Sequence, residues 1–301
     1  MQSTLCRYRD QLQVTPWLSV FGYGVLIFIY GTMLSFILPH AWQRTFERFL
    51  LVAPLVLLAA KDLAGFPLAV TRWNAARTRG DSWLRRMVVS QPPEFRGYVR
   101  VERAMWRSFF SWILRRPQPA LPAGQPLGYL ERGSYGTVIC CALVALCVEV
   151  PIDALIASLL AKTPEQARLF HIVFSCAVFY SLVWVLGDRW QVAGRGHHVL
   201  TDTTLELDIG VRASGSIPLA AIASVERLKE SRADWCKRHG HALHATRKLT
   251  PFDAPNVVVL LHPGSDVRLQ LLQVERGGDG PIFLYVDRPE LLTAAASPPR
   301  P

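Results

Sequence analysis

The sequence predicts a membrane α-helical protein with four transmembrane helices in two hairpins, followed by a small antiparallel β domain with a closing helix. Four apolar blocks are each long enough to cross a bilayer, and an arginine-rich segment separates the first two from the last two. In the last third of the chain, apolar and polar residues instead alternate in short runs. Half of the 301 residues are hydrophobic and 19% are charged, which favours a polytopic membrane protein with a globular tail.

The first hairpin is predicted over residues 17–38 and 49–70, with a short turn at residues 39–48. The block at residues 17–38 has no charge, and about 20 helical residues cross a hydrocarbon core of roughly 30 Å. No small-residue cleavage site follows it, so we expect it to remain as a membrane anchor. Lys61 and Asp62 interrupt the second block, and we expect each to face a neighbouring helix or to snorkel to the cytoplasmic interface.

The arginine-rich segment sets the predicted orientation. Residues 71–135 hold twelve arginines and four acidic residues, which is +8 of the net charge of +10. The two short turns hold only Arg44 and Arg48, and Lys162 and Arg168. Because positive loops stay in the cytoplasm, both termini and the middle segment are predicted to be cytoplasmic. Basicity concentrated beside apolar spans also argues against nucleic acid as a partner.

An amphipathic helix is predicted over residues 94–114 of this segment. Its arginines recur at intervals of four, three and four and fall within a stripe of about 60°. They are Arg96, Arg100, Arg103 and Arg107. Trp106 is one of the aromatic residues on the rest of the helix surface, outside this stripe. Two interpretations are open: the helix lies in the membrane interface near anionic lipid headgroups, or it packs on the cytoplasmic domain with its arginines in water.

A proline-rich linker over residues 117–128 is predicted to be irregular, and the second hairpin follows over residues 133–160 and 168–186. Glu149 and Asp153 interrupt its first span around Pro151. They stand at i and i+4 on one helical face, a pattern found in proton or cation handling. The structural alternative is that they cap a kinked helix or pair with Lys61, Arg132 or Arg189.

The β domain is predicted from period-two alternation over residues 204–209 and strand-like runs at 224–229, 256–261, 267–272 and 281–286. The sequence His-Pro-Gly-Ser-Asp at residues 262–266 indicates a hairpin between the third and fourth of these runs. A closing helix is predicted over residues 288–296, with Asp287 as its cap and Pro289 in its first turn.

The tail resembles a bacterial PH-like module found beside transmembrane helices in uncharacterised bacterial membrane proteins. The resemblance rests on the sequences LTDTTLEL at residues 200–207, SIPLAAIASVE at 216–226 and YVDRPELL at 285–292. It implies a PH-like fold and a bacterial inner (cytoplasmic) membrane. It implies no ligand, and the first turn at residues 210–215 offers Arg212 alone for phosphate recognition.

A weak candidate for a zinc or copper site lies in the polar insertion at residues 230–255. The soft and imidazole ligands are Cys236, His239, His241 and His244. Exposed histidines are common in such insertions, so no metal and no cofactor are predicted. The motifs of soluble enzyme classes are absent from the sequence, and no catalytic residue is assigned.

These patterns divide the chain into a first hairpin (1–70), an arginine-rich cytoplasmic segment (71–132), a second hairpin (133–190) and a cytoplasmic β domain (191–301). The preferred functional hypothesis is a membrane protein whose PH-like tail acts as a binding or assembly module. Its expected partners are the lipid bilayer, anionic headgroups, and a protein or a second copy of the chain. Ion- or proton-linked transport through Glu149, Asp153, Lys61 and Asp62 is the first alternative, and an intramembrane enzyme is the second.

Overall fold

A computed structural model describes residues 12–13, 15–35, 38–118, 120–161, 163–195 and 197–295. The chain folds into two compact units, Met1–Arg96 and Gly97–Pro301, and each unit is described by itself.

The first unit is a helical hairpin followed by a short helix. Helix α1 (Trp17–Ser35) packs against α2 (His40–Thr78), and α3 (Trp83–Ser90) packs on the far part of α2. The turn predicted over residues 39–48 is wrong, because α2 begins at His40 and runs for 39 residues, about 58 Å. Pro54 and Pro67 both lie inside this helix. It therefore takes in the beginning of the arginine-rich segment as well as the predicted second span.

Among the residues described, three helices are long and apolar enough to cross a membrane. The stretches are Arg48–Thr78, Tyr135–Leu159 and Pro164–Val192, whereas Ser19–Ser35 forms a shorter apolar helix. Most of the large apolar side chains along α1 and α2 are exposed, as expected for surfaces that face lipid acyl chains.

The second unit contains the second hairpin and the β domain. Helix α4 (Pro93–Ile113) matches the predicted amphipathic helix, and its residues from Gly97 onward belong to this unit. Helix α5 (Tyr135–Leu160) is continuous through Pro151, and α6 (Pro164–Arg195) runs nine residues past the predicted end of the fourth span. Its 32 residues span about 48 Å, so α6 is longer than a hydrocarbon core is thick.

The β domain consists of two sheets among the residues described. The first has the strand order β1-β2-β3-β4-β8-β9 and the second β5-β7-β10-β6. All pairs are antiparallel except β10 with β6. The strands are β1 (Gln125–Gly128), β2 (His197–Leu200), β3 (Thr204–Asp208), β4 (Ala213–Pro218), β5 (Ile222–Arg227), β6 (Arg247–Leu249), β7 (Val257–Leu261), β8 (Leu269–Leu271), β9 (Val274–Arg276) and β10 (Ile282–Leu284).

Two sequence expectations about this domain are wrong. The end of the predicted irregular linker forms β1, which pairs with β2 in the register Gln125 to Leu200. The predicted hairpin at residues 262–266 instead carries the chain from β7 in one sheet to β8 in the other. β1 pairs with β2, and β7 pairs with β5 and β10, all far away along the chain, so local sequence could not select these partners.

One hydrophobic core joins the sheets to the second hairpin. Tyr135, Ile139 and Val192 from α5 and α6 are buried in the same cluster as Leu205, Ile217 and other strand residues. A helix α7 (Arg232–Arg238) covers part of the second sheet, and α8 (Pro289–Ala295) closes the domain. The β domain and the second hairpin therefore share one packed core.

The carboxylate of Asp287, the residue expected to cap the closing helix, bonds to the segment before α5. Its carboxylate accepts hydrogen bonds from the backbone N–H groups of Glu131 and Arg132, both at 2.9 Å. Asp253 accepts another from the N–H of Ser134 at 2.8 Å. These carboxylates satisfy backbone donors just before α5, which fixes the start of that helix on the β domain.

Candidate functional site

A cleft between helix α4 and the first sheet

Helix α4 lies against the turn between β8 and β9. Leu272 and Gln273 form this turn with φ of 49° and 62°, the left-handed conformation that two-residue hairpins require. A Cβ at Gly97 would lie 2.6 Å from the carbonyl oxygen of Leu272, so only glycine permits this approach. The Arg100 guanidinium donates a hydrogen bond to the carbonyl oxygen of Gln273 at 3.2 Å. The N-terminal half of α4 is thereby fixed on the sheet.

The middle of α4 lies against α6. A Cβ at Gly187 would be 2.6 Å from the carbonyl oxygen of Met105, so the two helices meet at backbone distance. Glu102 accepts hydrogen bonds from the Trp106 indole at 2.7 Å and from the Tyr180 hydroxyl at 2.8 Å. These contacts hold α4 beside the apolar part of α6.

The C-terminal end of α4 turns the chain back towards the sheet. The N–H of Arg115 donates to the carbonyl of Trp112, and the N–H of Arg116 donates to the carbonyl of Ser111. Arg115 has φ of 48°, so this is a Schellman ending with arginine at the position usually held by glycine. Gln118 then donates a hydrogen bond to the carbonyl of Trp190 on α6.

A cleft of about 480 Å³ lies under this returning chain. One wall is α4, which contributes a row of small residues at i, i+4 and i+7: Ala104, Ser108 and Ser111. Gln191 of α6 donates a hydrogen bond to the Ser108 hydroxyl at 2.8 Å. Ser111 is only 6% exposed, and its hydroxyl makes no hydrogen bond with any residue that the structure describes. Small side chains leave the space open, and their hydroxyls remain available to a ligand.

Two arginines stand at this cleft, Arg107 on α4 and Arg116 just beyond its end, and both are exposed. The acidic lining residue is Asp208, whose carboxylate already accepts the N–H of Gly210 at 2.7 Å. Ser214 and Gln273 complete the polar lining on the side of the sheet. The site therefore offers two guanidinium groups and several neutral donors to an anion.

The arginine stripe predicted on α4 divides by environment. Arg100 is bonded to the sheet as described, and Arg103 and Arg107 are exposed. Arg96 is partly buried and lies at the end of the first unit. Trp106 stacks on Phe110 and lies at a tilt against Phe179. One face of the helix packs on the protein's own domain, as the second interpretation expects. Arginines and apolar residues on another face are exposed, and a position in the membrane interface stays a prediction.

Other polar groups of the two units

A buried ion pair joins the β domain to α6. The Arg212 guanidinium donates to the Asp188 carboxylate at 2.7 Å, and the Tyr135 hydroxyl donates to the same oxygen at 3.0 Å. The guanidinium also lies 4.3 Å from the centre of the Phe252 ring. Arg212, the sole candidate for phosphate recognition in the first turn, is thus committed to holding the second hairpin.

Lys61, predicted to snorkel or to face a helix, is buried with 4% of its surface exposed. Its ammonium group donates to the backbone carbonyls of Leu12, Gln13 and Thr15, the last two at 3.1 and 2.8 Å. Since an ammonium has three protons, these carbonyls use its whole donor capacity. Asp62 is exposed. Lys61 therefore fastens the segment before α1 to α2.

Glu149 and Asp153 lie on the part of α5 farther from the β domain. Glu149 is exposed and Asp153 is partly exposed. Neither carboxylate makes a hydrogen bond or an ion pair with the described residues of its own unit, so the expected cap or pairing with Arg132 or Arg189 does not occur there. Arg132 instead approaches the backbone carbonyl of Asp287 at 3.5 Å.

The candidate metal ligands surround a tryptophan. Cys236 is buried in a small core with Trp235 and Phe283. The rings of His239 and His241 stack on Trp235 at centroid distances of 4.0 and 5.5 Å. The side chain of His244 lies outside the description. Within the described ranges no three His, Cys, Asp or Glu side chains form a group that could hold a metal ion.

His198 is the most deeply buried titratable group of the β domain. Its Nδ1 accepts the N–H of Asp208 at 3.2 Å, and its ring lies 5.0 Å from that of Tyr129. Burial, reinforced by the neighbouring His197, lowers the pKa of His198 to about 3. Burial likewise raises the pKa of Tyr129, whose hydroxyl donates to the carbonyl of Asp208. Both rings are neutral at ordinary pH and serve packing.

Comparison of the chain with known protein families, with curated proteins and with solved structures found no match.

Most of the cleft is not predicted from the sequence. The arginine stripe, which includes Arg107, is predicted, but the adjoining row of Ala104, Ser108 and Ser111 on the same helix is not. That row has helical spacing, which the sequence itself shows. Arg116, Gln118 and Gln191 were not detectable, because the Schellman turn and the packing of α6 bring them to the cleft from separate parts of the chain.

Proposed function

We propose that the chain is an integral membrane protein with four transmembrane helices, both termini in the cytoplasm, located in a bacterial inner membrane. Helix α1 would be the fourth span, since 19 apolar residues extend about 28 Å. The orientation follows from the twelve arginines between the second and third spans. The β domain is PH-like in this proposal, supported by its two mainly antiparallel sheets and by the closing helix α8.

The β domain acts as a binding module for the cytoplasmic face of the bilayer. The observation that carries this function is the position of α4, which packs on α6 and on the sheet at the same time. If α6 enters the hydrocarbon at Pro164, about 20 residues bring it to the cytoplasmic interface near Trp184. Met105 of α4 lies against Gly187, just beyond that level. The α4 helix then lies at the headgroup layer.

The exposed side chains of α4 suit that layer. Arg103 and Arg107 are exposed, and so are Phe110, Trp112 and Leu114 at the C-terminal end. Arginines attract anionic headgroups, and amphipathic aromatic side chains prefer the interface. A recognition function at the membrane surface accounts for both groups, whereas an arginine face in open water would leave the apolar end of the helix unexplained.

Thermal unfolding of the full chain in nanodiscs tests this function. The expected result is a higher midpoint in nanodiscs that contain phosphatidylglycerol than in phosphatidylcholine alone, because a ligand of the folded state stabilises it. Each kcal/mol of net binding corresponds to a shift of about 2–4 °C for a unit of this size. Added salt should reduce the difference. Equal midpoints in the two lipids would refute a lipid-recognition function.

The orientation has its own test. In a cysteine-free background, a cysteine placed at Ser231 is expected to react with an impermeant thiol reagent in inverted membrane vesicles and not in intact cells. Labelling in intact cells would place the β domain outside and contradict the proposal.

One observation favours ion- or proton-linked transport as a second candidate. Glu149 and Asp153 share one face of α5 and are without a partner in the described part of their unit, inside a helix long enough to span the bilayer. Replacing them by Gln and Asn should abolish cation or proton flux in liposomes if they carry it, and unchanged flux would remove this candidate. An intramembrane enzyme, the third hypothesis, gains no comparable observation.

A further inference from the structure

We infer that the cleft between α4 and the first sheet is a binding site for the phosphate group of an anionic phospholipid, with Arg107 and Arg116 as its charged ligands. This inference rests on the proposed function and adds to it a defined site, since a general attraction of arginines to the membrane needs no cavity.

The first reason is the polarity of the cleft. Arg107 and Arg116 approach it from a helix and from the loop after that helix, so two guanidinium groups can reach one anion from different sides. Guanidinium groups bind phosphate oxygens through paired, charge-assisted hydrogen bonds. Arg107 and Arg116 are the arginines that line this cleft. Arg212 and Arg100 lie elsewhere and bond to Asp188 and to the carbonyl of Gln273.

The second reason is a hydroxyl that opens into the cleft without a protein partner. Ser111 lines the cleft, is 94% buried as a residue and makes no hydrogen bond with the part of the chain that is described. The neighbouring Ser108 hydroxyl accepts from Gln191, so its own proton is free to donate. A phosphate oxygen or a headgroup hydroxyl can accept from both serines.

The third reason is the surface that continues from the cleft. Beyond Ser111 the helix ends in Trp112, Ile113 and Leu114, all exposed apolar residues. A phospholipid whose phosphate sits between the arginines could lay its acyl chains along this end of α4. A soluble phosphate ester would use the same arginines and serines but would leave the apolar end uncovered. The arrangement therefore favours the lipid as the source of the phosphate.

The test measures binding of phosphatidylglycerol to the full chain in phosphatidylcholine nanodiscs, by native mass spectrometry over a series of lipid ratios. The double variant Arg107→Gln/Arg116→Gln should bind about tenfold or more weakly, because each lost charge-assisted bond contributes substantially. The matched control Arg227→Gln/Arg276→Gln removes two exposed arginines of the same unit that do not line the cleft. It should bind like the unaltered chain. Equal loss in both double variants would overturn the inference.

A third variant separates binding from folding. Ser111→Ala removes a hydroxyl that bonds no described residue, so its unfolding midpoint in phosphatidylcholine should stay unchanged while its affinity for phosphatidylglycerol falls a few-fold. Unchanged affinity in this variant would exclude the cleft as the site.

Soluble glycerol 3-phosphate, added to nanodiscs of phosphatidylcholine alone, distinguishes the two sources of phosphate. The expected result is much weaker binding than for the lipid, and binding as tight as the lipid's would overturn the assignment to a phospholipid. If phosphatidylglycerol has no effect on the unaltered chain, the proposed function itself fails. If its effect persists in the Arg107/Arg116 variant, only the cleft is excluded.

Discussion

The two helical hairpins each carry a buried charged side chain near one end, yet the two charges have different partners. In the first hairpin Lys61 donates to three backbone carbonyls of the segment before α1. In the second, Asp188 accepts from Arg212 of the β domain and from Tyr135 at the start of α5. The charge of Lys61 thus fastens a segment of its own hairpin, whereas the charge of Asp188 joins the second hairpin to the β domain.

This difference matches the packing of the two units. The first hairpin ends in a long helix whose far part packs on the short helix α3. The second shares a hydrophobic core with two sheets, through Tyr135, Ile139 and Val192. Perturbing the β domain should therefore reach the second hairpin directly, whereas perturbing Lys61 should act on the first hairpin.

The largest effect is expected from Arg212→Met, which leaves the Asp188 carboxylate buried without its cation. Breaking a buried pair in this way costs about 3–5 kcal/mol. We expect the lower part of that range, because the Arg212 side chain keeps 24% of its exposure. The free energy of unfolding of the full chain in detergent measures it. The double variant Asp188→Leu/Arg212→Met should recover most of the loss, and failure to recover would show that the pair is not the cause.

A smaller effect is expected from Gly187→Ala. The new Cβ would meet the backbone of Met105 at 2.6 Å, and backbone cannot move aside as a side chain can. Such overpacking costs about 1–3 kcal/mol. Gly136→Ala is the control in the same hairpin, since its Cβ would enter open space and replace a glycine within α5. It should stabilise by about 0.5–1 kcal/mol. Equal effects of the two variants would contradict the close contact of α4 with α6.

Lys61→Met should act locally on the first hairpin. It removes the donor of three carbonyls, and each buried group left unsatisfied costs about 1–3 kcal/mol. We expect a loss near the lower limit, because carbonyls close to the bilayer surface can reach water. The measurement is hydrogen exchange at residues 12–17, which should speed up. Asp62→Asn, at the exposed neighbouring position, should leave that exchange unchanged.

Acidification through His198 is expected to have an effect that appears only below the ordinary pH range. Its pKa is lowered to about 3 in the folded protein, whereas the ordinary value is 6.5. The unfolded chain therefore binds a proton first as the pH falls. The part of the unfolding free energy that depends on the neutral His198 ring is fully present above pH 6.5 and is lost between about pH 6.5 and 3. The steepest loss is about 1.4 kcal/mol per pH unit.

His198→Asn tests this assignment, because the amide oxygen can still accept the N–H of Asp208 while the titrating ring is gone. In the unaltered chain, unfolding between pH 6 and pH 4 takes up about one proton through His198. The slope of the unfolding free energy against pH in this range should therefore be shallower in the variant. An unchanged slope would assign the acid sensitivity to other groups.

Periodicity and composition predicted a large part of this architecture. The spacing of Arg96 to Arg107 gave the amphipathic helix close to its observed limits, and apolar length gave the three long helices. The proline-rich linker was predicted wrongly at its end. Residues 125–128 form a strand, because β2 offers a partner that the local sequence does not reveal.

The candidate sites show the same limit. Lys61 was recognised as unusual, but its role depends on three backbone carbonyls that no side-chain pattern records. The sequence offers Arg212 as a candidate ligand for phosphate. Its partner in the structure is Asp188, which lies on α6, outside the β domain. Pairing of buried charges is decided by which residues the fold brings together.

The sequence by itself determined the long apolar helices, the arginine-rich segment with its helix α4, and the change to β structure near residue 197. These follow from periodicities of 3.6 and 2 and from apolar length, which are properties of neighbouring residues. Only the tertiary structure decided that the second hairpin and the sheets share one core, and that Arg107, Ser111 and Arg116 line one cleft. The reason is that close packing selects among residues far apart along the chain.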